Sequence, residues 1–299
     1  MEKEAFRSGF IAILGAPNVG KSTLLNTLMG TKLSIVSPKP QTTRHRILGI
    51  KNLPQAQLIF VDTPGIHQPR TRLNQYMMRA VLEALIDPQL VLYMTDVTKQ
   101  PYPDLDFLRR HLRDTSVPVF WVLNKIDRIR RQELLPLIEA YPYKEAFAEV
   151  IPISALRGEN IDDLLRTMLR YLPEGPRYFP EDMPTDRDER FFIAELIREQ
   201  VLLRTHQEVP YAVAVSVESV TPRDDGSLEV TANILVEKPS QKAILIGQQG
   251  RMIKAIGMHA RQAISTLLRR PVHLHLWVKV RQGWKDQEAI LRELGFHQV

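Results

Sequence analysis

Gly15-Ala16-Pro17-Asn18-Val19-Gly20-Lys21-Ser22 sets two glycines, a lysine and a hydroxyl at fixed spacing, just after an apolar run and just before a stretch of helical period. Residues of these types at a strand-to-helix turn hold phosphate. Glycines let the backbone curl until its N–H groups face the ligand, and the helix N-terminus adds a favourable dipole. Lys21 neutralises charge, and Ser22, followed by Thr23, offers a hydroxyl to Mg²⁺. A glycine turn without a ligand needs neither the lysine nor the hydroxyl.

Such a loop does not separate one nucleotide from another, but three later stretches do. Asp62-Thr63-Pro64-Gly65 ends the apolar run 58–61, where the carboxylate of Asp62 suits Mg²⁺ through water and the Gly65 N–H suits a γ-phosphate. Asn124-Lys125-Ile126-Asp127 ends the run 117–123. Asp127 there is able to accept from the N1–H and N2–H₂ groups of guanine, a donor pair adenine lacks. A buried carboxylate left unpaired is heavily penalised, so the site favours guanine. Ser154-Ala155 follows one more strand, and the Ala155 N–H is expected to donate to guanine O6. All four lie at strand ends, where open α/β sheets gather ligands.

A second chemistry lies toward the C-terminus. From 238 to 285 there is no Asp or Glu, while ten positions are Lys or Arg, so a chain of formal net charge +6 hides a strongly cationic segment. Cationic runs of this kind meet nucleic acid or another anionic surface. Within it, Gly247-Gln248-Gln249-Gly250 separates two helical patterns, with Arg251 and Lys254 just beyond. Glycine there lets a sugar-phosphate approach the main chain. The run 273–281 then alternates strictly, with His273, His275, Trp277, Lys279 and Arg281 on one face. That face reads as exposed polar sheet or as a stacking surface for RNA, and the spacing leaves both open.

The elements that must carry these residues follow from hydrophobic period. Short apolar runs at 10–14, 46–50, 58–61, 90–94, 117–123 and 150–153 alternate with amphipathic stretches, which predicts an α/β domain with a mostly parallel sheet over 1–172. Four prolines and a glycine within 172–184 make a poor helix or strand, so 173–187 reads as a linker. Over 188–299 a helix, two strands joined at Asp224-Asp225-Gly226-Ser227, two helices around the glycines, a strand and a short last helix predict a smaller α+β domain. The 299 residues suffice for two cores. With no cysteine, disulfide and thiolate-metal frameworks are excluded, and an intracellular, cytoplasmic address is the simpler expectation. No run reaches the roughly 18 apolar residues of a spanning helix, so no integral membrane segment is expected.

The phosphate and guanine motifs resemble those of the translation-factor class of GTPases in type and order. In that class a threonine of the segment Pro40-Gln41-Thr42-Thr43-Arg44-His45-Arg46 reaches Mg²⁺ only with GTP bound; Thr43 is chosen here over Thr42. Ras-like GTPases place a water-orienting glutamine where this chain has Ile66, so unassisted hydrolysis should be slow. Related GTPases with an asparagine at the position of Asn18 use it to hold K⁺ in place of an arginine finger; bracing of the loop is the other reading. The helix–turn–helix around these glycines makes the domain over 188–299 resemble a KH domain, with Gly247, Gln248, Gln249, Gly250, Arg251 and Lys254 as its RNA clamp.

Taken over its full length, the chain resembles the Era family of bacterial GTPases. Phe179-Pro180-Glu181-Asp182, Thr185-Asp186-Arg187, Leu235-Val236-Glu237 and Trp277-Val278-Lys279-Val280 carry that resemblance beyond the shared motifs. It implies a P-loop GTPase domain followed by a KH-like domain, GTP or GDP with Mg²⁺ as bound groups, and single-stranded RNA near the 3′ end of 16S rRNA as partner. It also implies a role in 30S subunit assembly and peripheral association with the inner membrane. The competing expectation is a nucleotide-gated module whose basic domain meets anionic lipid.

Overall fold

The computed structural model describes residues 5–99, 110–111, 116–141 and 144–296. These residues divide into two compact units: one of those within 5–34, 43–68 and 77–186, the other of those within 35–42, 69–76 and 187–296.

The first unit is built on a six-stranded sheet in the order β2-β3-β1-β4-β5-β6. Its strands are β1 (Arg7–Leu14), β2 (Ile47–Leu53), β3 (Ala56–Asp62), β4 (Leu90–Asp96), β5 (Val119–Asn124) and β6 (Glu149–Ile153). β2 pairs antiparallel with β3, and the other pairs are parallel. Every residue of β3, β4 and β5 is buried, as expected of strands covered on both faces. β1 lies between β3 and β4, so the chain's order reverses beside its carboxyl end, and such a switch point opens a crevice for ligand. Helix α1 (Lys21–Met29) starts there, entered through Gly20 at φ 107° and ended at Gly30 in the left-handed region. Helices α2 (Arg72–Glu83), α3 (Arg131–Glu139) and α4 (Ile161–Tyr171) follow along the chain.

The proline-rich stretch after α4 is neither helix nor strand, yet it is tied along the sheet. Ser8 Oγ donates to Pro176 O at 2.6 Å, and the Ile50 N–H donates to Pro184 O at 2.8 Å. Gln57, fully buried in β3, accepts from the N–H groups of Tyr178 and Phe179 and donates to Phe179 O. A buried amide satisfied in this way fixes the path of the strap.

In the second unit, α5 (Glu189–Arg204), α6 (Val209–Ala212), β7 (Ala214–Pro222), β8 (Leu228–Val236), α7 (Pro239–Ile246), α8 (Arg251–Leu268), β9 (Val272–Val280) and α9 (Glu288–Glu293) follow in order. β8 pairs antiparallel with β7 and parallel with β9. Ile193, Leu196 and Ile197 of α5 and Ile256, Ala260 and Ile264 of α8 pack with Val230, Ala232 and Ile234 of β8 into one core. This covers one face of the sheet; His273, His275, Trp277 and Lys279 of β9 are exposed.

Candidate functional site

At the start of the phosphate loop the backbone leaves no room for a side chain. A Cβ at Gly15 would lie 2.3 Å from Met94 O, and Gly15 sits at φ 144°. A Cβ at Gly65 would fall 2.7 Å from the backbone of Pro17, so the Asp62-Thr63-Pro64-Gly65 turn lies against the loop. The Ile66 N–H donates to Gly15 O at 3.2 Å, and Thr63 Oγ1 donates to Ile13 O at 2.7 Å. Lys21 is buried, its ammonium donating to Gly15 O at 2.9 Å and Ala16 O at 3.0 Å, so its charge lies within the loop. Asn18 adopts φ 65°, a region asparagine tolerates, and its carbonyl accepts from Lys125 Nζ at 2.8 Å.

Beside the loop, oxygen groups from three elements converge. Ser22 Oγ donates to Asp62 Oδ2 at 2.8 Å and lies 2.7 Å from Thr43 Oγ1; Ser34 Oγ also donates to Asp62 Oδ2, at 2.9 Å. Burial pushes the Asp62 carboxyl above its ordinary range, against the opposing pull of Lys21 and the hydrogen bonds from Ser22, Ser34 and Thr63. Its Oδ1 is buried with no hydrogen-bond partner among the described residues. A desolvated carboxylate with an unused oxygen beside two hydroxyls is the donor set a hard divalent cation takes, and these residues fit Mg²⁺. Of the two adjacent threonines, Thr43 enters this cluster, whereas the Thr42 hydroxyl donates to Lys39 O and contacts Ser37 Oγ, both at 2.6 Å.

Next to the loop lies a second group of contacts. Asn124 Nδ2 donates to Val19 O at 2.7 Å, and its Oδ1 accepts the Ala155 N–H at 2.9 Å. The amide expected to serve guanine O6 thus also braces Asn124. Asp127 Oδ1 accepts from Ser154 Oγ at 2.6 Å. Lys125 Nζ forms a 2.6 Å ion pair with Asp96 at the end of β4. Burial opposes ionisation of Asp96, but the bonds from Lys125 and Thr98 outweigh it and hold the carboxyl below its ordinary range. Neither Asp96 nor Ser34 belongs to a motif recognised above. A carboxylate at a strand's carboxyl end was the available signal for Asp96; Ser34 carried none.

In the second unit Gly247, Gln248, Gln249 and Gly250 form the turn between α7 and α8. Gly247 lies at φ 71°, Gln249 at 52° and Gly250 at 75°, and a Cβ on Gly247 would stand 2.8 Å from Met252 Cβ. Gln248, Gln249, Arg251 and Lys254 are exposed. On the outer face of β9, Lys279 pairs with Glu218 at 2.9 Å and His275 with Glu229 at 3.3 Å. Lys279 and Lys285 of the cationic run are thus paired with carboxylates outside it. No described helix is long and apolar enough to cross a membrane.

The model of the 50S ribosome-binding GTPase family matches residues 10–125, and that of the KH domain matches 208–285. GTPase Era of Lacticaseibacillus paracasei is 48% identical over 290 residues, 97% of each chain. GTPase Era of Geobacter metallireducens is 48% identical over 297 residues, 99% of this chain and 100% of its own. Among solved structures, Era in complex with MgGDPNP and nucleotides 1506–1542 of 16S ribosomal RNA matches with TM-score 0.94 and 42% identity, covering 98% of this chain and 100% of that one.

Proposed function

This chain belongs to the Era family of GTPases, and on that premise we propose that it uses GTP to switch the hold of its KH domain on single-stranded RNA at the 3′ end of 16S rRNA, in cytoplasmic assembly of the 30S subunit. The observation that carries the reading is the cluster of Ser22, Thr43 and Asp62 around the unused Asp62 Oδ1. Thr43 of that cluster is the residue through which the 43–46 strand entry would depend on the γ-phosphate. The RNA comes from the relative solved with MgGDPNP and 16S rRNA, and from the exposed Gly247 to Gly250 turn that matches the KH family.

In the proposed mechanism Asp127 and Asn124 fix the guanine side, and Gly15, Ala16, Pro17, Asn18, Val19, Gly20, Ser22 and Thr23 wrap the phosphates. Lys21 offsets charge that builds on the β–γ bridge, and the Gly65 N–H faces the γ-phosphate. Ser22, Thr43 and Asp62 would hold Mg²⁺, which would supply neutralisation of phosphate charge. Ile66 has no group to orient water, so the barrier falls little without help. Asn18 as a K⁺ ligand supplies that help in the cationic version of the reading; loop bracing by Asn18 leaves it to RNA or the ribosome. Hydrolysis without RNA is expected near 10⁻⁴ s⁻¹, roughly the unassisted rate of a small GTPase. Single-turnover assays in KCl and NaCl at equal ionic strength separate the versions: faster turnover in KCl, lost in Asn18→Ala, supports the ion, and equal rates remove it. An unassisted rate thousands of times faster contradicts the role given to Ile66. Peripheral inner-membrane association comes with the family resemblance, and no feature of the described residues favours the lipid-binding alternative.

A further inference from the structure

Helix α5 buries Glu195, Arg198, Glu199 and Gln200, each less than a tenth exposed. Charges taken out of water on a helix need partners, and burying a pair is weak evidence that stability is its purpose. The partners here are specific. Arg198 donates through Nε to Glu195 Oε1 at 2.7 Å and through Nη2 to Glu195 Oε2 at 2.6 Å, a bidentate pair that locks the guanidinium plane. The same Nη2 donates to the carbonyl oxygen of Thr42. Glu199, the next residue, accepts the Val36 N–H through Oε1 at 3.0 Å. Ile35 is buried in the core that α5 shares with α8, and Lys39 Nζ stands 3.3 Å from His206 Nδ1. The stretch 35–42 is thereby anchored at its start by Ile35 and Val36 and at its end by Thr42.

Thr42 O belongs to the peptide that joins Thr42 to Thr43, and the chain re-enters the first unit at Thr43. Fixing that carbonyl sets the orientation from which Thr43 extends, and Thr43 Oγ1 lies 2.7 Å from Ser22 Oγ in the candidate cation cluster. We infer that Arg198, oriented by Glu195, is a positioning residue for Thr43, and that Glu199 and Arg198 together hold 35–42 in the form that binding of GTP with Mg²⁺ requires. The inference rests on the reading above in which Thr43 reaches Mg²⁺ when the γ-phosphate is present. A loop left free must be ordered at the moment of binding, at a cost in chain entropy; a loop already held binds without that cost. GDP makes no demand on Thr43, so the effect belongs to the triphosphate.

The test compares affinities for GDP and for a non-hydrolysable GTP analogue, with Mg²⁺, on the full chain. The variants are Arg198→Met combined with Glu195→Met, which leaves no lone buried charge, and Glu199→Met, which removes the acceptor of the Val36 N–H. Circular dichroism and melting establish folding, and Glu199→Met carries the test if the double variant does not fold. Affinity for the analogue should fall about tenfold or more, the share of one hydrogen bond to a charged group, while that for GDP stays within about twofold. A packing role alone lowers the melting temperature and leaves the ratio unchanged, and that result overturns the inference. Thr43→Ala is measured alongside. If it loses the preference for the analogue while the α5 variants keep it, only the role of Arg198 falls; if it too keeps the preference, the reading of Thr43 falls and the inference with it.

Discussion

At the scale of single residues, two carboxylates stand at the proposed nucleotide site, one assigned to the guanine and one paired with Lys125. Asp127 accepts from Ser154 Oγ at 2.6 Å and has Arg157 Nε 3.7 Å from its other oxygen; on the proposed function it pairs with the guanine donors. Asp127→Asn should lower GTP affinity by on the order of 10⁴-fold and raise affinity for xanthosine triphosphate, whose 2-oxo group accepts from the new amide. A competition binding measurement checks both halves. Asp96 acts through Lys125, whose ammonium it holds at 2.6 Å while that ammonium also reaches Asn18 O. Its carboxyl lies below the ordinary 3.8 in the folded state, so its contribution to stability is present above that value and is lost as pH falls through the lowered one. Melting curves of wild type and Asp96→Asn should therefore differ most above pH 4, by roughly 2 kcal/mol, and converge in stronger acid. Parallel curves at all pH values would remove the ion pair from the account. Asp96 was legible only as a charge at a strand end, because its partner lies 29 residues on and the pairing needs the register of β4 on β5.

At the scale of elements, the motif-bearing strands followed from their apolar runs, and the turn of Gly247 to Gly250 followed from its two glycines between helical patterns. What failed to show in sequence was polar. The strands expected at 46–50 and 58–61 extend to Ile47–Leu53 and Ala56–Asp62, because Lys51, Asn52 and Gln57 join an antiparallel ladder although none is apolar. Gln57 is buried only because the proline-rich strap supplies it with partners, a contact across 122 residues that no local pattern announces. The buried pair on α5 was hidden for the same reason, since glutamate and arginine three apart on a helix look like an exposed face. The Gly247 to Gly250 turn gives the prediction proper to this scale. Gln248→Asp with Gln249→Asp adds two charges at exposed positions, so folding should survive. RNA affinity should drop roughly 100-fold at low salt and less as salt rises. Titration of single-stranded RNA followed by Trp277, 62% exposed while Trp121 and Trp284 are fully buried, reads this directly. Undiminished binding would move the clamp away from this turn.

At the scale of the whole molecule, the account says that two chemistries on one chain are thermodynamically linked. On the proposed function the cluster of Ser22, Thr43 and Asp62 responds to the γ-phosphate; the segment that carries Thr43 continues into 35–42, whose bonds belong to the unit with the basic turn. Linkage is reciprocal: if GTP strengthens RNA binding by some factor, RNA strengthens GTP binding by the same factor, and a typical coupling is about 5–150-fold. This is what separates a switch from an enzyme that merely also binds RNA. The most direct test is the affinity of an RNA oligonucleotide carrying the 3′ end of 16S rRNA, measured with Mg²⁺ and either a non-hydrolysable GTP analogue or GDP, and then the analogue's affinity with and without that RNA. The account predicts tighter RNA binding with the analogue, by about tenfold or more, and an equal gain in analogue affinity when RNA is present. Equal RNA affinity in the two nucleotide states would contradict it.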